Sequence, residues 1–298
     1  MHRFHVLRRV QGCGLKANLY ALGAIELWAT LAVLGVSLTH VPPFLLTGLA
    51  LLIGSVMALP LSGFDLRQWR IPGTTLALGV YGLFGFHFLL FIALRNAPAV
   101  EANLVNYLWP LLMVVLAPVF LAGTPLRTVH VVAALLGFAG AAIAILGSQG
   151  SGSAGASGLA GWSWGYLPAL ASAFIWASYS LLCQRVKPFP TAAIGLFGLV
   201  SGLLSLVCHW ALEPAVVLNG RDWLLISVMG LGPLGAAFFL WDKALKLGDA
   251  RQIGILSYLT PLASTALLMA VNGRAFTWNI ALSALMIIGA ALLGTRTR

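Results

Sequence analysis

Charge is what this chain has least of. Only 8% of its 298 residues are Asp, Glu, Lys or Arg, against about 25% in an ordinary soluble domain, and just seven of them are acidic. A surface that poor in charge excludes a water-soluble globular protein. The same scarcity excludes most catalytic chemistry: there is no H-E-x-x-H zinc site, no G-x-S-x-G nucleophile turn and no pair of aspartates inside an apolar segment. Cysteine is equally sparse. Cys13, Cys183 and Cys208 have no metal-ligand spacing and imply no disulfide, least of all for Cys13 in a reducing cytoplasm. Gly12-Cys13-Gly14 imitates a dinucleotide loop but follows no strand. The expectation is therefore no enzyme, no catalytic residue, no metal and no cofactor.

What the chain has in excess is apolar sequence: 60% of it is hydrophobic. A helix needs about 20 mostly apolar residues to cross the hydrocarbon layer, where unpaired backbone groups find no partner. Ten stretches qualify, at about 19–38, 43–61, 73–94, 99–121, 129–148, 163–184, 190–211, 223–245, 250–271 and 276–294. The basic start followed by the first stretch resembles a signal peptide, but 19–38 is long for a signal core and carries Glu26, so it reads as a retained span. The net charge of +10 is spread over short loops and forms no nucleic-acid patch. Strict loop alternation puts 14 cations, among them Arg8, Arg67, Arg127, Arg185, Lys243 and Arg251, on one side. Arg95, Arg221 and Arg274 fall on the other. By the positive-inside rule both termini are cytoplasmic and the partner surface is a lipid bilayer.

The second half repeats the first. Residues 93–111 align with 244–262 without gaps at an offset of 151, sharing Ala93-Leu94, Ala99, Tyr107-Leu108 and Pro110-Leu111 with Ala244-Leu245, Ala250, Tyr258-Leu259 and Pro261-Leu262, while Arg95 meets Lys246. At an offset of 148, Trp28-Ala29, Pro42 and Gly54 recur as Trp176-Ala177, Pro190 and Gly202. Five spans per half is an odd number, so the halves must be inverted copies. The expected organisation is a basic tail (1–17), a five-helix repeat (18–148), a Gly/Ser-rich periplasmic linker (149–161), a second repeat (162–294) and a short tail (295–298). Trp69, Trp162, Trp164, Trp210, Trp223 and Trp278 near span ends read as interface anchors. Gly198-x3-Gly202 and Gly161-x3-Gly165 read as close helix contacts inside a monomeric bundle.

Polar groups inside a bilayer are costly and usually face an internal cavity. In the fourth span Asn103, Asn106, Tyr107 and Pro110 share one helical face, and Gly254, Ser257, Tyr258 and Pro261 repeat it in the ninth. The two prolines free a carbonyl one turn earlier and read as paired hinges. His87, among phenylalanines in the third span, is either a hydrogen-bonded core residue or a ligand contact that can take a proton. Glu26, with Thr30 and Ser37 near its face, is either a buried carboxylate suited to proton coupling or one reaching the interface. Trp109, Trp176 and Tyr179 are mid-span and read as cavity-lining rings. Two ion pairs are expected, Glu101 with Arg95 and Asp242 with Lys246, with Asp249 extending the second.

On the tandem five-span halves, the A-L-x(n)-A-x(n)-Y-L-x-P-L stretch in each, and Trp28/Trp176 at the start of each, the chain resembles the drug/metabolite transporter superfamily, in its ten-span branch of two EamA-type repeats. Within it, the run Asn103–Leu111 (NLVNYLWPL) together with His87 is similar to bacterial aromatic amino acid exporters. That resemblance implies a basket of ten helices around a central cavity and export from cytoplasm to periplasm by alternating access. It implies His87, Tyr107, Trp109 and Trp176 as substrate contacts, with Asn103 and Asn106 as partners for the amino or carboxylate group. The second half departs from the first, with Thr260 at the place of Trp109 and Phe238 at that of His87, so any cavity is chemically asymmetric. Efflux of flat or cationic drugs is the alternative reading. Phosphate exchange fits poorly with so few intramembrane cations, and a passive scaffold fits poorly with the buried polar faces.

Overall fold

The structure, a computed structural model, describes residues 2–147, 163–273 and 277–295, with side chains placed at 14–146, 163–273 and 277–294. The expected linker, Gly161, Trp162, Arg274, Arg296 and Arg298 lie outside those residues, as do the side chains of Arg3, Arg8, Arg9 and Cys13. Helix is the regular structure throughout the described residues. In chain order the apolar helices are α1 (Gly14–Ser37), α2 (Pro43–Leu61), α3 (Gly73–Asn96), α4 (Ala99–Phe120), α5 (Thr128–Leu146), α6 (Tyr166–Leu182), α7 (Thr191–Leu212), α8 (Gly220–Leu247), α9 (Ala250–Val271) and α10 (Trp278–Gly294). Eight are long and apolar enough to cross a membrane; α6 and α10 are shorter. The helix that contains α1 starts far earlier than expected, at His2.

Several of these rods are interrupted, among them α2 at Met57, and three of the interruptions have a local cause. In α1 the helix stops at Ala29 and restarts at Leu31, because Thr30 turns its hydroxyl back on Leu27 O (2.7 Å). In α4 it stops at Asn106 and restarts at Trp109, with Pro110 in the new first turn, where its missing N–H costs nothing. In α9 it stops at Leu256 and restarts at Leu259, ahead of Pro261. In α3 and α8 the winding loosens to a π-helix, over Tyr81–Gly85 and Gly232–Ala236. These two segments stand at the same offset of 151 that relates the halves.

Contacts at the helix ends trace the path. At one end, Glu213 just past α7 accepts from Phe44 N and Leu45 N in the first turn of α2 (3.0 and 3.2 Å) and from Arg95 in the last turn of α3 (2.7 Å). Tyr166 at the start of α6 donates to Glu101 in the first turn of α4, and His40 beyond α1 meets Asp222 in the first turn of α8 (3.2 Å). At the opposite end, Thr191 at the start of α7 donates to Asp242 in α8 (2.7 Å). There too Gln184 beyond α6 donates to Leu245 O (2.6 Å), and Arg251 in α9 donates to Pro125 O beyond α4 (2.7 Å). Lys243 lies over the ring of Tyr20 in α1 (5.5 Å).

One expected ion pair, and the expected extension of the other, are corrected here. Arg95 does not pair with Glu101: the turn at Ala97–Pro98 puts the two on different neighbours, so Arg95 reaches Glu213 and Glu101 takes the Tyr166 hydroxyl. Asp242 does pair with Lys246 (2.6 Å), but Asp249 does not extend that pair, because it starts α9 and closes on Arg251 (2.5 Å). Of the expected interface tryptophans, Trp164, Trp210, Trp223 and Trp278 are exposed. Trp69 instead packs against the core, beside Gly195.

The most extensive helix pairings all join one half to the other: α5 with α10, α2 with α7, α1 with α8, α3 with α6, and α4 with both α6 and α9. Lipid tails are as apolar as leucine, so such pairs are held by close packing, which favours small residues. Gly202 in α7 lies against Gly48 O of α2. Gly54 is tighter: a Cβ there would stand 2.7 Å from Gly230 O, 2.8 Å from Gly235 Cα and 2.8 Å from Leu234 O. All three are backbone atoms of α8, so nothing flexible can yield. Gly54→Ala is therefore expected to destabilise the bundle by about 1–3 kcal/mol, as over-packing does, and to lower the thermal midpoint of the detergent-purified protein. Gly35→Ala, where a Cβ meets nothing within 4 Å, is the matched control and is expected to leave the midpoint unchanged or raise it.

Candidate functional site

The middle of the bundle is built from rings. Trp28 of α1, Phe86 and His87 of α3, Trp109 of α4, Trp176 and Tyr179 of α6, and Phe238 and Trp241 of α8 meet there. Trp176 is the hub. Its ring centroid lies 5.8 Å from Trp28, 5.3 Å from Phe86, 6.4 Å from Trp109, 5.3 Å from Tyr179 and 6.3 Å from Trp241. Trp241 also packs on Trp28 (5.2 Å) and Trp109 (5.7 Å), and Phe238 on His87 (6.4 Å). Most of these contacts are tilted or edge-to-face, the arrangement that the aromatic quadrupole prefers.

Hydrogen bonds aim several of the rings. Trp28 donates Nε1–H to Pro233 O in the π segment of α8 (3.1 Å), and Trp241 donates to Ser180 Oγ (3.1 Å). His87 Nδ1 lies 2.6 Å from Leu83 O, in the π segment of α3. A carbonyl only accepts, so Nδ1 carries the proton and Nε2 of the neutral ring is an acceptor. Among the described residues, the Nε1–H groups of Trp109 and Trp176 have no hydrogen-bond acceptor. The Tyr179 ring lies flat against Gly82, where a Cβ would stand 2.3 Å from its Cγ. Beside it, Tyr81 OH and Ser178 Oγ are 2.8 Å apart.

The structure brings together His87, Trp109, Trp176 and Tyr179 in this centre. Asn106 is buried at the break in α4 and takes a 2.8 Å hydrogen bond from Ser172 Oγ of α6; Asn103 and Tyr107 are half-buried in and just after the same helical segment. Pro110 and Pro261 are buried in the first turn after the two breaks. Three expected residues lie elsewhere. Tyr258 is fully buried against Phe138 and Gly137 of α5 and Ile287 of α10, and Ser257 bonds back to Ile253 O (2.9 Å) within α9. The one-face pattern assumed a continuous helix, and the break at 257–258 turns Tyr258 away. Glu26 is exposed: two residues from Trp28 is about 200° around the helix, so a ring that faces the centre sends Glu26 outward.

Sequence reasoning missed Trp241, which stands at i+3 from Phe238 on the same face of α8. Among the described residues the rings pack directly on one another, with Trp109 and Trp176 buried, and a small void lies beside Phe238 between Leu51, Leu83 and Leu234. Flat apolar faces, two unengaged indole donors and one imidazole acceptor can together hold a planar side chain and the polar ends of a small zwitterion once the rings part. They offer no paired acid and base for covalent chemistry.

Comparison with known proteins agrees with this picture. The model of the EamA-like transporter family matches residues 15–146 and again 163–296. The aromatic amino acid exporter YddG of Ancylobacter novellus is 41% identical over 282 residues, covering 94% of this chain and 96% of that protein. The exporter of the same name from Escherichia coli is 28% identical over 294 residues, covering 93% of this chain and 96% of that one. A crystal structure superposes with a TM-score of 0.85 at 39% identity, covering 94% of this chain and 97% of its own.

Two substitutions gauge how firmly the centre is packed. Trp176→Ala removes the hub, and a fully packed core would lose about 3–5 kcal/mol; Trp241→Phe keeps a ring but strands the buried Ser180 hydroxyl, a loss of about 1–3 kcal/mol. Thermal unfolding in detergent is expected to rank the two in that order.

Proposed function

Because the chain belongs to the EamA-like transporter family, we propose that it exports aromatic and other hydrophobic amino acids across the bacterial inner membrane by alternating access. It is a multi-pass membrane protein, and its family and the names of its relatives indicate a transporter and not an enzyme. The observation that carries the substrate class is the ring centre, in which Trp28, Trp109, Trp176 and Trp241 come from four different helices and surround mid-span polar groups. The substrate ring slots between indoles. His87 Nε2 accepts from the α-ammonium, while the Trp109 and Trp176 indole N–H groups and the Asn106 side chain serve the carboxylate.

The reading includes ten spans in two inverted halves with both termini in the cytoplasm. Two observations support it: α3 ends at the Glu213 end while α8 ends at the Asp242 end, and the alternation of the sequence assigns 14 of the 17 cations to the loops, helix ends and termini of one side. The breaks at Pro110 and Pro261 are the hinges on which the centre opens. With Glu26 facing outward, His87 is the remaining candidate for proton coupling. No cofactor is needed, and the working unit is a monomer.

Counterflow of radiolabelled phenylalanine in proteoliposomes tests this, with wild type beside Trp109→Ala and His87→Ala at matched insertion. Specific wild-type counterflow is expected, lost in Trp109→Ala and reduced by at least about tenfold in His87→Ala, the equivalent of one charge-assisted hydrogen bond. Folded wild type without specific flux overturns the amino acid reading and leaves efflux of flat or cationic drugs. Competition by analogues lacking the amino or carboxyl group then separates the two.

A further inference from the structure

The last turn of the third helix in each half ends in a basic residue, Arg95 in α3 and Lys246 in α8, at the repeat offset of 151. Both sit over a phenylalanine next to prolines, from the junction between the first and second helices of the same half. Arg95 lies 5.6 Å from the Phe44 ring centroid, and Lys246 Nζ lies 4.0 Å from that of Phe189. Both are neutralised by a buried carboxylate: Glu213, whose side chain is 0% exposed, and Asp242, at 3%. One clasp stands at the Glu213 end of the bundle and the other at the Asp242 end, with the ring centre between them.

From this matched pair we propose that the two clusters are alternating gates, each holding its own face of the transporter closed, and that transport requires them to open in turn. The carboxylates show why they are gates and not only helix caps. Glu213 belongs to the second half but accepts from Arg95 and from Phe44 N and Leu45 N of the first (2.7, 3.0 and 3.2 Å), as well as contacting His209 (3.0 Å). It therefore ties α2, α3 and α7 across the seam between halves. Asp242 gathers Lys246 and Thr191 on one oxygen (2.6 and 2.7 Å), and Lys246 also donates to Phe189 O (2.8 Å), so α8 is fastened to the chain that enters α7. Both clasps are shut in this structure, and the centre is filled by its own rings. A buried carboxylate stripped of its cation is costly, so neither clasp opens without water reaching it, which is what opening a face supplies. The tie at the Glu213 end spans both halves and the one at the Asp242 end spans only the second, so the two gates have unequal strength.

The inference rests on the transporter reading but not on which solute is carried, and its test uses no amino acid. A reporter Phe238→Cys is placed in the ring centre of a background with Cys13, Cys183 and Cys208 replaced by Ser. It is labelled in oriented vesicles with a membrane-impermeant maleimide from each face in turn. Arg95→Met is expected to raise the labelling rate from the Glu213 face by roughly fivefold, the population shift that loss of one clasp implies, and to lower it from the other. Lys246→Met is expected to do the reverse, and Arg95→Lys to restore most of the wild-type ratio. Unchanged ratios in well-folded protein overturn the proposal, as does a rise from both faces together, which signals general loosening. If Arg95→Met does not fold, Phe44→Leu weakens the same clasp with the charge pair kept, and its shift from the Glu213 face decides.

Discussion

Hydrocarbon offers no partner to a backbone N–H or C=O, so a chain inside a bilayer can leave the α-helix only where some other group takes the missing bond. That constraint organises this molecule. Its departures from regular helix fall at Thr30, at Met57 in α2, at the π segments of α3 and α8, and at the breaks in α4 and α9, and side chains stand at several of them. The Thr30 hydroxyl covers Leu27 O. His87 covers Leu83 O and Trp28 covers Pro233 O, both in π segments. The rings of the central site are thus also the groups that make irregular backbone tolerable at mid-membrane. Site and weakness in the scaffold coincide because each requires the other.

The same low dielectric accounts for the placement of charge. An ionised group in the interior must be paired or hydrogen-bonded, and among the described residues Glu26 is the one acid of the seven that lies exposed with neither a hydrogen bond nor an ion pair. Asp65 caps a short 3₁₀ turn through Arg67 N, Glu101 holds Tyr166, Asp222 closes a capping box with Asn219, and Glu213, Asp242 and Asp249 each bind a cation. At Asp249, in the loop before α9, burial pushes the carboxyl up but the Arg251 guanidinium and backbone N–H outweigh it and hold it below its ordinary range. A chain that keeps so few carboxylates, nearly all at helix ends, uses them as fasteners at the two faces.

Much of this was legible in the sequence, because span position is a property of hydropathy alone: 43–61 and 250–271 coincide with α2 and α9, and the repeat locates both π segments once one is known. The mid-span depth of Trp109, Trp176 and His87 was legible for the same reason. Side-chain direction was not. Tyr258 copies Tyr107 in sequence, yet the break beside it points it at α5 and α10, and hydropathy carries no trace of that rotation. For Glu26 the sequence left two readings open, and only the turn of the helix away from Trp28 places it on an exposed face. The Arg95–Glu213 bond joins residues 118 apart, and no local spacing rule reaches that far.

The repeat also explains the shape of the centre. Trp28 and Trp176 correspond at an offset of 148 and pack on each other at 5.8 Å, so this pair sits where the related halves meet. Around it the correspondence fails at every ring. Trp109 faces Thr260 across the relation, Trp241 faces Leu90, and His87 faces Phe238. Trp109 and Trp241 lie together, 5.7 Å apart, and both pack on Trp176, whereas the positions that correspond to them in the repeat hold a small alcohol and an aliphatic chain. The Thr260 hydroxyl is buried without a hydrogen-bond partner among the described residues, a cost that persists unless the working cycle supplies one. The repeat is therefore carried by the backbone and by the Trp28–Trp176 pair, while the side chains at Trp109, Trp241 and His87 break it, so the ring centre is chemically asymmetric even though the sequence around it is repeated.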